Sequence, residues 1–533
     1  MSSSTLIDVV GHIVFSFTRG VTEHYNPDET EFTAESFGYN PLESTGREWY
    51  CHPVDELIYQ EYSDREAANG DYLATRRCNV RVMNACSLEE NQEKQDEDSP
   101  MAWKRLRPSA PCTVCKSMYF GALISLLAAP IIGTMFMLVS YIGYKTYHDC
   151  QFHSKKSIPV KVEWMRSISD IVSSAFLYAW FFELMLFLFR PFQLKGVKRK
   201  LFLASFLVFC LDTLYTVALQ ALGISQSLLP NIENIPLNVL FLFSIALQIY
   251  ILTIHFCTGS TNRKLAFFSQ MFTPLCLCYF LAIIIAYCIY PAYNKQNRDG
   301  KLLIALFAPL TGVVLKVISR TCAQQLRRTT HPGYSYVLLS PFYFGTAVMF
   351  RVLQADLGSL QSIAILGIIH GAAEVIERST MVVIDHICHT LWKRQSAPWG
   401  SFRTPRRERL MADIAIMSML SESTAIVAVN GFLYLYQFVY LPNKSFFNLL
   451  QSFAIYTSVQ LVIEWLFASV SLAIETRYQN MAVMAVWRRR WKRHILAAIV
   501  NAVPLATWTG TNLLVIVHGR FPEASKPCKM PFS

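Results

Sequence analysis

The chain has 533 residues, 53 % of them hydrophobic and 16 % charged, with a mean hydropathy of +0.30 and a formal net charge of +11. Soluble domains carry about 25 % charged residues, so this composition excludes an ordinary soluble enzyme and points to an all-α, polytopic integral membrane protein. The first 100 residues hold 20 acidic and 7 basic side chains and the remaining 433 hold 17 and 41, a split of −13 against +24. The basic excess needs no nucleic-acid partner, because Lys and Arg gather at the cytoplasmic ends of membrane spans.

Residues 1–115 read as an acidic, partly disordered cytosolic region. Within it Leu6, Val9, Val10, Ile13 and Phe17 follow helical spacing and predict a short amphipathic helix over 5–18. The segment lacks a basic leading region and a small-residue cleavage site, so it is not read as a signal peptide. A flexible linker is expected over 88–110, where "NQEKQDEDSP" is too polar to pack. Tyr39 to Leu42 has the form of a tyrosine-based sorting signal, and the region as a whole is a candidate surface for cytosolic protein partners. Cys112 and Cys115, just before the first apolar run, are candidate lipidation sites. They are also half of a zinc site without a second half.

A span needs about 20 mainly apolar residues. Eleven segments qualify, at about 118–144, 168–190, 201–224, 236–257, 265–290, 302–318, 334–354, 360–384, 411–439, 446–474 and 494–517. They make up a transmembrane domain over 116–518, followed by a short tail over 519–533. The N-terminus is expected in the cytosol, since the basic loops at 190–200, 392–409 and 487–493 then face inward. One loop, 145–167, opposes this orientation with five basic residues. The resident membrane is expected to be the plasma membrane or an endomembrane. Pro130, Pro274, Pro309, Pro341 and Pro504 fall inside spans and raise the expectation of broken helices.

The eighth segment is the unusual one: "LGIIHGAAEVIERSTMVVIDHICH", Leu366 to His389, carries His370, Glu374, Glu377, Arg378 and Asp385 among apolar residues. At about 100° per residue His370, Glu374 and Glu377 share one helix face. A charge at mid-bilayer costs about 2.5–3.5 kcal/mol on insertion scales, so this face is expected inside the bundle. Glu183, Asp212, Glu422 and Glu464 add carboxyls near the middles of other spans. With Glu374 and Glu377 these make six acids near span centres, against which Arg378 stands as the central cation, with Lys316 near its span's end and able to reach the interface. An excess of buried carboxyls calls for something positive.

Three readings follow. The first is a transporter or ion-conducting protein for a proton, metal ion or cationic solute, with His370, Glu374, Glu377, Arg378, Glu422 and Glu464 as the binding or relay residues. The second is an integral membrane enzyme, in which Asp385, His386 and His389 at the membrane interface would contribute metal ligands. His370-Gly371 resembles the His-Gly pair of membrane-bound O-acyltransferases. That family's supporting asparagine and long re-entrant region have no counterpart here. The third is a receptor or scaffold working through its N-terminal region. Transport is favoured over catalysis, since eleven spans exceed what an anchor needs and no third metal ligand stands at suitable spacing. The residues name no cofactor, and the certain partner is the lipid bilayer.

Overall fold

The structure, a computed structural model, describes residues 110–520 apart from 144–157, 190–192, 224–229, 258, 327–328, 331–332, 356, 358, 394–404, 442–444, 480 and 482. The amphipathic segment 5–18, the acidic region up to residue 109 and the tail from 521 lie outside the described residues. Every described element is helical: α1 (Ala110–Gly143), α2 (Val160–Leu188), α3 (Lys198–Ala221), α4 (Pro230–Phe256), α5 (Thr261–Ile284), α6 (Arg298–Gln325), α7 (Ser340–Ala355), α8 (Leu360–Lys393), α9 (Pro405–Tyr440), α10 (Phe446–Tyr478) and α11 (Val483–Arg520). Each of the eleven apolar segments coincides with one of these helices. Nine of the helices, among the described residues, are long and apolar enough to cross a membrane.

The two outside that nine are α7 and α11. With 16 residues α7 rises about 24 Å, short of the roughly 30 Å of a hydrocarbon core. It is also enclosed: 15 of its residues are buried, from Ser340 to Ala355. The seventh segment, expected as a span, thus forms a short helix enclosed by protein, outside the nine that are long and apolar enough to cross a membrane.

The prolines do not break the helices. Pro274, Pro309 and Pro504 lie within continuous α5, α6 and α11, and Pro341 occupies the second residue of α7, where a missing N–H is harmless. Two widened π-turns do occur, at Leu123–Ala128 inside α1 and at Ile285–Ile289 after α5. Each runs directly into a segment whose second residue is a proline, Pro130 or Pro291. Proline cannot donate to the preceding turn, and a local change of helical pitch absorbs the lost bond.

The chain divides into two compact units, one of Met1–Tyr119, Ile376–Ala415 and Ser469–Trp491, the other of Phe120–Val375, Ile416–Ala468 and Lys492–Ser533. In the second unit α3 lies between α2 and α4, α4 meets α5, and α5 packs on α6 and α7. Leu281, Ala282 and Ile285 from the α5 side meet Phe342 and Met349 of α7 in one apolar cluster. The second-unit part of α9 is almost wholly buried and meets α1 closely. A Cβ on Gly133 would stand 2.6 Å from Cβ of Val427, and one on Gly431 would collide with Met137. Small residues that let helix backbones approach are the usual device for packing in lipid. Outward faces are apolar, as along Leu203, Leu207, Leu211 and Leu214 of α3, all more than half exposed. A soluble domain rarely shows a stripe of that length.

Candidate functional site

Because α7 is enclosed, its charged residue is enclosed too. Arg351 is 7 % exposed and lies within the second unit. Its Nη1 donates to Oε1 of Gln354, three residues on, at 2.9 Å, and Gln354 Nε2 donates to the carbonyl of Ile363 in α8 at 3.2 Å. Arg351 Nη2 donates to Oε2 of Glu464 in α10 at 2.6 Å and to Oε2 of Glu422 in α9 at 3.3 Å. The guanidinium thus ties α9 and α10 to α7, and the Gln354 amide adds α8.

A third carboxyl joins from α8. Ser418 Oγ donates to Oε1 of Glu374 at 3.2 Å, and Glu374 lies within electrostatic range of Arg351 and Glu464. His370, one turn before Glu374, makes a 3.1 Å hydrogen bond from Nε2 to the carbonyl of Ala305 in α6. A carbonyl accepts, so this nitrogen carries hydrogen and Nδ1 is left as the second ring position. One guanidinium, three carboxyls and one imidazole therefore meet in a part of the bundle lined by α6 to α10.

The first unit holds a second polar set of arginine–carboxylate pairs. Arg378 of α8 meets Glu475 of α10 in bidentate fashion, Nε to Oε1 at 2.9 Å and Nη2 to Oε2 at 2.7 Å. Close by in sequence, Gln479 Nε2 donates to the carbonyl of Ser379 at 2.7 Å. Asp385 forms an ion pair with Arg407 at 3.2 Å, and Arg409 forks onto Asp413 one turn along α9, at 2.9 and 3.1 Å. The parallel two-bond geometry gives such pairs directional specificity as well as charge.

Of the residues singled out from sequence, the structure brings Glu374, Glu422 and Glu464 together and sets His370 beside them. Arg378 finds Glu475, and Glu377 lies half-buried on α8. Asp385, expected as a metal ligand, has its carboxylate on Arg407, and the side chains of His386 and His389 lie outside the described residues. Among the described residues no group of three or more His, Cys, Asp and Glu is placed to hold a metal ion. Cys112 and Cys115 are exposed near the start of α1.

The expected charge balance changes. Lys316 does not reach an interface: it is buried on α6, with Nζ 5.3 Å from the ring centroid of Tyr343. Arg320, expected in a loop, is wholly buried one turn later. With Arg351 and Arg409 these make four buried cations beyond Arg378 among the described residues. Asp212 of α3 accepts from the hydroxyl of Tyr178 at 3.1 Å and also bonds Ser174, while Glu183 lies exposed on α2.

Both Arg351 and Glu475 escaped sequence reasoning at the rim of an apolar run, Arg351 three residues inside one limit and Glu475 one residue beyond another, and Arg351 also because no apolar run reveals that its helix is enclosed. The available signal was the Arg351-x-x-Gln354 spacing, which puts a guanidinium and an amide on one helix face. Gly371, paired with His370 in the sequence, has a packing cause: a Cβ there would stand 2.6 Å from Cγ of Phe467 in α10. Compared with known protein families, with curated proteins and with solved structures, the chain matches none.

Proposed function

We propose that this multi-pass membrane protein carries or conducts a proton or small cation, and that Arg351, Glu374, Glu422 and Glu464 form its binding site, with His370 as an adjacent proton station. The observation that carries the reading is the convergence of three carboxyls on one guanidinium inside the bundle. A purely structural tie needs one carboxylate per guanidinium, as Arg378 and Glu475 illustrate. Glu422 shares the Arg351 guanidinium with Glu464, and Glu374 lies within its electrostatic range, so three acids compete for one positive charge. In this reading Arg351 is the resident counter-ion. A proton or cation arriving at Glu374 or Glu422 competes with it for Glu464, and the site alternates between the two pairings. Intramembrane ionisable groups default to functional candidates on energetic grounds.

A cytosolic N-terminus is part of the proposal. In the second unit the loops assigned to the inner side lie together: Gln193 bonds the carbonyl of Thr329 at 3.3 Å, His255 bonds the carbonyl of Gln193 at 2.9 Å, and Arg493 bonds that of Phe187 at 2.8 Å. Such convergence of basic loop ends supports one shared side.

The test is proton and metal-cation flux into liposomes holding the purified protein, wild type beside Glu464→Gln. Glutamine keeps an acceptor for Arg351 but cannot hold a proton or ionise. Flux lost in the variant, with the protein still folded, supports the reading. No flux in the wild type under any imposed gradient removes it.

A further inference from the structure

A cavity of about 350 Å³ lies in the second unit between α1, α9 and α10. Its wall includes Met137 and Leu138 of α1, Tyr434 and Phe438 of α9, and Leu449 and Phe453 of α10. The lining makes almost no polar demand. The hydroxyl of Thr134, which also faces it, already donates to the carbonyl of Pro130 at 2.8 Å. A polar or charged ligand would lose its hydration without return, so the ligand class is hydrocarbon.

Its position narrows the class further. The cavity begins at the last turns of α1 and α9 and the first turn of α10, and reaches Phe453, about 10 Å along α10. Leu138, Phe438 and Leu450 at its mouth are exposed on the outer face of the bundle, 60 %, 46 % and 48 %. The mouth therefore opens where lipid tails lie. A second helix, about 10–12 Å across, is too wide to enter. The volume falls in the range of small-molecule sites, about 300–1,000 Å³, and suits one flexible chain. Phe438 and Phe446, with ring centroids 5.5 Å apart, stand at the end nearest the helix termini, the level at which aromatic side chains meet lipid headgroups, while Tyr434 packs on Phe453 at the other end.

The geometry points to a lateral site for the acyl chain of a bilayer phospholipid, held between α1, α9 and α10. Two of those helices, α9 and α10, also carry Glu422 and Glu464, so an occupied chain sets the spacing of the helices that bear the acids. The site itself stands apart from the transport reading and is tested without it.

Full-length protein in nanodiscs receives a phosphatidylcholine with a diazirine in mid-chain, and adducts are mapped after irradiation. Adducts are expected to concentrate on 134–141, 431–438 and 446–453. They should fall about tenfold in Leu435→Trp and in Leu449→Trp, two separate ways of filling the space, while adducts on Leu207 and Leu211 of α3 stay constant. Adducts spread evenly over all outward faces would overturn the site, as would cavity adducts that persist in whichever filling variants fold. Labelling by a photoreactive sterol but not by the phospholipid would overturn it as well.

Discussion

Arg351 and Glu464 are 113 positions apart in the chain, yet a nitrogen of one stands 2.6 Å from an oxygen of the other. Neither is more than 7 % exposed. Breaking a buried pair from one side leaves an uncompensated charge and costs about 3–5 kcal/mol. Arg351→Met is therefore expected to lower the thermal unfolding temperature in detergent sharply. Arg351→Lys should recover only part of the loss, because one ammonium cannot hold Gln354 and Glu464 at fixed angles as the guanidinium fork does. A Lys variant as stable as the wild type would show that the fork is not needed.

Arg378 and Glu475 test the contrast between a bidentate pair and several acids around one guanidinium. Glu475→Ala alone is expected to cost about 3–5 kcal/mol, whereas replacing both residues by Met and Leu should be near neutral. If the pair only ties helices, the double variant keeps whatever flux the wild type shows. Flux lost in a stable double variant would move the transport site toward Arg378.

Packing at Gly371 offers a prediction free of electrostatics. An added Cβ would stand 3.0 Å from Cβ of Phe467 and closer still to its ring. Overpacking of this kind costs about 1–3 kcal/mol. Gly371→Ala should be destabilised, and Phe467→Leu in the same chain should restore part of the loss. An Ala variant with unchanged melting would mean that α8 and α10 can shift apart at little cost.

Cys112 and Cys115 report the side on which α1 begins. Both are exposed near the helix start. With a cytosolic N-terminus, a membrane-impermeant maleimide should label them only after cells are permeabilised. Each is examined in a chain with the other cysteines replaced. Labelling on intact cells would reverse the orientation.

Helix positions were legible in the sequence because a long apolar run has few other ways to exist, and each of the eleven runs is a helix. The polar face of α8 was legible from its 3.6-residue period. The partners were not. A helical angle tells which residues share a face, but not which helix lies opposite, and so the pairing of Arg378 with Glu475 of α10 was not legible. Hydropathy windows also end where the first charges come, which hid Glu475 although α10 continues to Tyr478. Arg351 was hidden by a tertiary fact. Nothing in "VMFRVLQAD" says that the helix carrying it is surrounded by protein on every side.

That enclosure bears on how the protein is made. A helix of 16 residues with an arginine near its end is a poor substrate for insertion: the charge costs about 2.5–3.5 kcal/mol at the bilayer centre and each leucine or isoleucine returns only about 0.3–0.6. On its own, α7 has little reason to remain in the membrane when it leaves the ribosome. Glu422 and Glu464, which neutralise Arg351, are synthesised 71 and 113 residues later. The seventh helix must therefore wait, shielded by the earlier helices or by a chaperone, until α9 and α10 arrive. Assembly of the bundle is in this sense its own insertion machine, and a chain truncated before α9 is expected to be handed to quality control rather than to the bilayer.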